Sequence, residues 1–215
     1  GSNPDAIPDM TINGESSFSY LGISIASAGD MNGDGFSDIL AGAIGVNLFT
    51  GKAYLYMQGM NGTYFPDLSF NGEATGSGFS ISVASAGDVN GDSFSDIIVG
   101  ARSYNSSTGR AYIYLGGINM DNTPDVILNG ESTGNNFGVS VSTAGDVNSD
   151  GYSDVIVGAD FYSAKGRAYV FFGGIIMDSG PDVVMTGESS NNFFGHSVSA
   201  AGDVNSDGYS DVIVG

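Results

Sequence analysis

Cysteine and tryptophan are absent from this chain, histidine occurs once, and only 5 lysines and arginines stand against 24 aspartates and glutamates. Without cysteine there can be no disulfide, no thiol nucleophile and no thiolate metal site. The formal net charge of −19 opposes binding to nucleic acid and to anionic lipid headgroups, so neither is expected as a partner. A surface with this charge suits a protein that binds cations.

Long hydrophobic runs are absent too. No segment approaches the roughly 18 consecutive apolar residues of a membrane-spanning helix, which predicts no membrane insertion. No segment keeps an apolar period of about 3.6 residues for three helical turns. The 35 glycines, which follow no collagen-like period, favour many turns between short strands. Residues 1–7 are interpreted as the scar of a cleaved tag (Gly1 and Ser2) and a leader.

An acidic nonapeptide recurs every 57 or 58 residues. It reads DMNGDGFSD at 30–38, DVNGDSFSD at 88–96, and DVNSDGYSD at both 146–154 and 203–211. The segments 144–158 and 201–215 are identical. Internal repetition at this period is typical of repeat architectures such as propellers. The repeats divide the chain into units at about 8–65, 66–123, 124–180 and, in part, 181–215.

Each unit contains four candidate strands. In the third unit they are 125–128, 137–142, 155–159 and 166–172, separated by polar, glycine-rich turns. The run at 155–159 is continuously apolar, which indicates a strand buried on both faces. Four strands in one unit match a propeller blade, so the predicted fold class is all-β.

The chain resembles the FG-GAP repeats of integrin α-subunit propellers and their bacterial relatives. The Phe-Gly pair stands at 137–138 and 194–195, and the Gly-Ala pair at 42–43, 100–101 and 158–159. Two units depart from Phe-Gly, with Leu21-Gly22 and Phe79-Ser80, and the proline is replaced by Ile44, Arg102 and Asp160. The resemblance implies a β-propeller of four-stranded FG-GAP blades, with three complete blades and a partial fourth.

The acidic nonapeptides are candidate calcium sites. Calcium takes six to eight oxygen ligands, preferably with several carboxylates, and Asp-x-Asn-x-Asp-Gly-x-x-Asp supplies them from one tight loop. The candidate side-chain ligands are Asp30, Asn32, Asp34, Asp38, Asp88, Asn90, Asp92, Asp96, Asp146, Asn148, Asp150, Asp154, Asp203, Asn205, Asp207 and Asp211. The candidate carbonyl ligands are those of Phe36, Phe94, Tyr152 and Tyr209. About four Ca²⁺ ions per chain are expected.

One alternative interpretation and one sequence difference bear on these loops. An EF-hand or dockerin loop needs a ligand at position twelve, where this chain has Ala41, Val99, Val157 and Val214 inside apolar strands, so that interpretation fails. The second loop has Ser93 where the others have glycine at a position that favours positive φ. It is therefore expected to bind calcium more weakly or to bend differently.

Three other features have expected roles. His196 is interpreted as structural, and Lys52, Arg110 and Arg167 are each expected to pair with an aspartate. The resemblance implies that the calcium loops lie on one rim and ligand-binding loops on the other. The connectors 44–50, 102–108 and 160–165, which carry Phe49, Tyr104, Phe161 and Tyr162, would form that second rim.

The predicted function is a calcium-binding, extracellular β-propeller module for adhesion or for binding a protein or glycan, with calcium structural and no enzymatic activity. The alternatives are a non-catalytic accessory domain of a secreted enzyme, and a propeller fragment or engineered repeat protein that assembles into a full ring. A four-bladed ring closed on itself is a further possibility. A homodimer is expected to complete the ring, with a strand near 9–12 of each copy joining the last blade of the other.

Overall fold

The computed structural model describes residues 11–57 and 66–215. Within them the strands are β1 Leu21–Gly29, β2 Asp38–Ala43, β3 Lys52–Tyr56, β4 Leu68–Asn71, β5 Phe79–Gly87, β6 Asp96–Ala101, β7 Arg110–Tyr114, β8 Val126–Asn129, β9 Val141–Gly145, β10 Asp154–Ala159, β11 Arg167–Phe171, β12 Val183–Thr186, β13 Val198–Gly202 and β14 Asp211–Val214. Three single helical turns are α1 Val46–Phe49, α2 Tyr104–Ser107 and a 3₁₀ turn at Tyr162–Ala164. No helix in these described ranges has the length and apolar character needed to cross a membrane.

The strands form antiparallel blades in which neighbours in sequence are neighbours in the sheet. Blade 1 is β1-β2-β3-β4, blade 2 is β5-β6-β7-β8, and blade 3 is β9-β10-β11-β12. Blade 4 contains the pair β13-β14. This order confirms the all-β prediction and the prediction of propeller blades, three of them four-stranded and a fourth partial.

The blades are out of phase with the sequence units by one strand. The third unit was expected to form its own blade beginning at 125–128, but β8 pairs with β7 of the second unit, with Tyr112 opposite Ile127. That grouping of strands is corrected, because consecutive strands pair as a meander and the chain leaves the sheet only after its outermost strand. The chain then crosses to the innermost strand of the next blade.

The predicted inner strand of the third unit also begins later than expected. It was placed at 137–142, whereas β9 begins at Val141. Gly138 has a φ of +84° and bends the chain before the strand, while Phe137 forms an isolated bridge to Gly109 of the preceding blade. The strand at 155–159 is buried on both faces as predicted.

The hydrophobic core lies between blades rather than within them. We call the side of a blade that faces the preceding blade its leading face and the opposite side its trailing face. Successive side chains of a strand point to opposite sides of the sheet, so Leu40 and Phe70 on the trailing face of blade 1 pack with Val83, Ile97 and other residues on the leading face of blade 2. Blades 2 and 3 pack in the same way. Each blade is therefore stabilised by its neighbours.

The glycines of the repeat motif allow the blades to approach closely. A Cβ on Gly158 in blade 3 would overlap the carbonyl oxygen of Gly195 in blade 4, and Gly100 has the same relation to Gly138. Ser80 takes the place of this second glycine at the first junction and keeps the left-handed φ, at +69°. Its hydroxyl accepts a hydrogen bond from the Ala43 amide at 3.0 Å. The departure from Phe-Gly at 79–80 is therefore accommodated.

The described part of the chain does not close on itself. Ile25 on the leading face of blade 1 is 71% exposed, whereas the equivalent Val83 in blade 2 is 5% exposed. Ile213 on the trailing face of blade 4 is also exposed. The self-closed four-bladed ring is thus excluded for this structure. Of the strand predicted at 9–12, residues 9 and 10 lie outside the described residues.

The close approach of Gly158 to Gly195 can be tested by adding one methyl group. We expect Gly158→Ala to lower the free energy of unfolding by about 2 kcal/mol, because the methyl group forces the two blades apart. For a chain of this size the melting temperature would fall by roughly 4–8 °C. Gly180→Ala is the control, since the only heavy atom near its Cβ is a flexible aspartate oxygen. Equal melting temperatures for the two variants would contradict the interpretation.

Candidate metal loops

The acidic loops all lie at one end of the blades. Each connects the first and second strands of its blade, and the connectors between the third and fourth strands of blades 2 and 3 reach the same end. The Gly117 amide in one of these connectors donates to the Met31 carbonyl of the preceding blade at 2.8 Å. We call this end the acidic rim. The connectors between second and third strands lie at the opposite end, which we call the aromatic rim.

Each acidic loop is folded around its first aspartate. In the first loop, Asp30 Oδ1 accepts hydrogen bonds from the amides of Gly33 at 2.7 Å and Asp34 at 3.1 Å, and Oδ2 accepts from Gly35 at 2.9 Å. Asn32 Oδ1 accepts from the Asp34 amide, and Asn32 Nδ2 donates to Asp34 Oδ2 at 3.1 Å. The other three loops repeat the bond from the fifth-position amide to the first aspartate.

The ninth-position aspartate of the loop is buried in the first three blades, at Asp38, Asp96 and Asp154. Asp96 Oδ2 accepts from the Val89 amide and Oδ1 from the Gly116 amide, both at 2.8 Å. The carboxylate therefore ties the acidic loop to the connector before the outer strand. Sequence reasoning assigned this residue only as a ligand and missed its donors, although the repeated Gly-Gly at 116–117 and 173–174 marks them.

Burial raises the pKa of Asp96 to about 7. The two amide hydrogen bonds oppose this shift, while the charges of Asp92 and Asp88 add to it. Burial likewise raises the pKa of Asp154, with Asp150 and Asp146 contributing in the same direction. Each of these two loops holds three carboxylates that are near enough to repel one another. The four ion pairs found among the described residues lie elsewhere in the fold, so none of them offsets this repulsion.

The described ranges contain no group of three histidine, cysteine, aspartate or glutamate side chains arranged as a ready metal site. The hydrogen bonds of the loops account for the absence of such a group, because the first aspartate is turned toward backbone amides. The donor set still fits calcium: each loop offers three carboxylates, one amide oxygen and a backbone carbonyl. A carboxylate oxygen has two lone pairs, so one that accepts an amide can still bind a cation.

Successive loops contact one another along the acidic rim. The Ser95 amide donates to the Asp30 carbonyl at 2.9 Å, and the same bond joins Ser153 to Asp88 and Ser210 to Asp146. A Cβ on Gly33 would lie 2.6 Å from the ring of Phe94 in the next loop. The seventh-position aromatic residue thus packs on the preceding loop, while its own carbonyl belongs to the candidate ligand set.

The second loop does not bend differently. Ser93 has a φ of +74°, close to the +87° of Gly35 and the +92° of Gly151. Its amide donates to Asp88 Oδ2 at 2.8 Å, as the Gly35 amide does to Asp30. Serine therefore holds the glycine conformation at a cost in backbone strain, because a side chain disfavours this region.

The recurring basic residues pair with glutamates, which corrects the expected pairing with aspartates. Arg110 Nη1 lies 2.6 Å from Glu73 Oε2, and Arg167 and Lys52 pair in the same way with Glu131 and Glu15. Glu73 follows the outer strand of blade 1 and Arg110 begins the third strand of blade 2, so this pair links two blades. The sequence does not show which acidic side chain of the neighbouring repeat lies close to each basic residue, and this distance decides the partner.

On the aromatic rim, the guanidinium groups of Arg110 and Arg167 cover two aromatic side chains. The carbon centres of these groups lie 4.1 Å and 3.6 Å from the ring centroids of Tyr104 and Tyr162. The rings of Phe49 and Phe161 pair with Tyr20 and Phe193 and stay half exposed. His196 Nδ1 lies 2.9 Å from Oδ2 of the buried Asp160, which supports the structural interpretation of this histidine.

Comparison with known proteins agrees with this architecture. The model of the FG-GAP repeat matches residues 21–56, 79–114, 137–171 and 194–215, which is more than half of the chain. The chain belongs to the FG-GAP repeat family. The first three matched segments each begin and end near the first and third strands of a blade, in the phase of the sheets.

A curated relative is integrin alpha-5 from Xenopus laevis, which is 38% identical over 50 residues. The match covers 23% of this chain and 5% of that protein, so the chain spans only a small part of the relative's length. Together the family and this relative support a propeller-type module.

The backbone strain at Ser93 predicts that two substitutions change the melting temperature in opposite directions. We expect Ser93→Gly to raise the free energy of unfolding by about 0.5–1 kcal/mol, since the relieved strain exceeds the added flexibility of the unfolded chain. The melting temperature would rise by roughly 1–4 °C. Gly151→Ser, at the equivalent position of the third loop, should lower it by a similar amount. A lower melting temperature for Ser93→Gly would show that serine is preferred there.

Proposed function

We propose that the chain is a calcium-binding, extracellular β-propeller module that binds a protein or glycan partner in adhesion, with calcium as a structural ion. The observation that carries the proposal is the clustering of three carboxylates in one loop, one of them buried, without a cationic side chain among the described ion pairs. Four loops of one chain share this sequence pattern.

Calcium would be held in the first loop by Asp30, Asn32, Asp34 and Asp38 and by the Phe36 carbonyl. The ion would supply the positive charge that offsets the repulsion between the carboxylates. Binding at Asp34 would take the place of the hydrogen bond from Asn32 Nδ2. In the second and third loops the ninth-position aspartate already accepts a hydrogen bond from the adjoining connector, so calcium there would stiffen two connections at once.

The aromatic rim is the proposed face for the partner. Leu48 and Phe18 are strongly exposed there, and Phe49 and Phe161 are half exposed beside their aromatic neighbours. Exposed aromatic side chains supply much contact area at a low entropic cost and are common at binding faces. The face lies opposite the candidate calcium loops, so the scaffold and the recognition surface do not compete for residues.

The calcium proposal predicts a gain in stability on adding the ion. Each site is expected to have a dissociation constant of roughly 10⁻⁴–10⁻³ M. At ten times that concentration, a site that binds only the native state contributes about 1.4 kcal/mol. Thermal melts in millimolar calcium and in chelator should therefore differ by several degrees. Calorimetric titration should give about four sites per chain.

Single substitutions separate ligand loss from charge loss. Asp92→Ala should remove one of the four sites and leave the others, since each loop holds its own ligand set. Asp121→Ala is the matched control, because it removes the same charge from a connector, where the carboxylate accepts a hydrogen bond from the Thr123 amide. The calcium proposal would be rejected by superimposable melts of the unsubstituted protein with calcium and with chelator.

Partner binding can be tested on arrays of extracellular proteins and of glycans. We expect the protein to bind a subset of them in calcium, and Phe161→Ser to weaken that binding by at least about tenfold, the loss of one anchor residue. Ile176→Ser is the control, since this exposed side chain lies in a connector at the acidic rim, outside the candidate calcium ligands. A protein that binds no member of either array, or that loses binding only with Ile176→Ser, would contradict the assignment of the aromatic rim.

A further inference from the structure

The three junctions between blades use one repeated set of contacts. The Val83 amide donates to the Ser24 hydroxyl of the preceding blade at 3.0 Å. Val141 to Ser82 and Val198 to Ser140 repeat this bond at 3.1 Å. A second bond runs at each junction from the serine amide of one acidic loop to the first aspartate carbonyl of the loop before it. The apolar contacts between the blades lie among these bonds.

The leading face of blade 1 and the trailing face of blade 4 carry the two halves of this same junction. Ile25 and Ile39 on blade 1 correspond to Val83 and Ile97, which are buried at the first junction. The two isoleucines are instead exposed. The matching donors on this face are the amides of Ile25 and Ser37. Its chemistry is therefore that of an ordinary leading face.

The trailing face of blade 4 carries the part of the complementary half that belongs to the two inner strands. Val204 and Ile213 correspond to Val89 and Ile98, which are fully buried in blade 2. In blade 4 they are 71% and 62% exposed. The matching acceptors are the Ser197 hydroxyl and the Asp203 carbonyl. Apolar groups on one face thus match apolar groups on the other, and donors match acceptors.

We propose that two copies of this chain assemble head to tail, the trailing face of blade 4 of each packing on the leading face of blade 1 of the other. The interface repeats the contacts that the two inner strands make at each of the three junctions, whereas those of Leu55 and Phe70 on the third and fourth strands have no counterpart in the pair β13-β14. A contact between two different faces builds a ring when the rotation closes. Four blade positions from each copy give eight, within the usual range of about four to eight for propellers.

Charge works against this assembly and sets the conditions of the test. Each copy has a formal net charge of −19, so two copies repel at low ionic strength. At about 150 mM salt the screening length is about 8 Å, and contacts between apolar faces can then dominate. Millimolar calcium keeps the conditions equal for every variant.

Sedimentation at ten-micromolar concentration is the first measurement. We expect a mass of twice 21.9 kDa for the unsubstituted chain. Ile25→Asp and Ile213→Asp should each give a monomer with unchanged circular dichroism, because both side chains are exposed within one copy. Ile118→Asp, at an exposed connector position, should stay dimeric. A monomeric unsubstituted chain would overturn the proposal.

Mixing the two monomeric variants distinguishes head-to-tail assembly from a symmetric contact of like faces. The Ile25→Asp chain keeps an intact trailing face and the Ile213→Asp chain keeps an intact leading face. An equimolar mixture should therefore form a 1:1 complex through one intact junction, more weakly than the unsubstituted dimer. A mixture that stays monomeric, or a dimer that survives either substitution, would reject the head-to-tail arrangement.

Discussion

The packing of one blade against the next is the interaction on which this structure depends. A four-stranded sheet of this kind has apolar side chains on both faces and no layer of its own to cover them. Leu40 of blade 1 and Ile98 of blade 2 become fully buried only because another blade lies over them. The glycines at 100, 138, 158 and 195 let the strands approach until backbone meets backbone. Stability therefore resides in junctions, as it does in other repeat proteins.

The position of the acidic loops is a consequence of the same packing of blade against blade. Because the inner strands stand side by side, the loops that leave them form a row in which the serine amides of the second, third and fourth loops each reach the preceding loop. Asp96 is buried where its loop meets the connector of the same blade, and burial with nearby carboxylates raises its pKa. The calcium proposed for these loops would act on the connection between strands as much as on the loop itself.

Much of this architecture could be predicted from the sequence, because the same pattern of residues occurs in four successive units. The all-β class, the acidic loops and the doubly buried strand at 155–159 all follow from pattern and period. The sequence could not predict which blade each outer strand joins. The apolar pattern of the short strand 126–129 is equally compatible with pairing to the strand before it and to the strand after it. The glutamate partner of Arg110 was missed for a related reason, because contacts across a junction leave no local signal.

The offset of one strand between sequence unit and blade has a consequence for how such a chain can change in length. The second and third units each carry the outer strand of one blade followed by the three inner strands of the next. Duplicating or deleting a stretch of 57 or 58 residues within these two units, wherever it starts, therefore keeps the order of strands in the affected blades. Recombination between the identical segments 144–158 and 201–215 would meet that condition at any crossover point. The number of blades can thus vary by genetic slippage without a hybrid sheet ever forming.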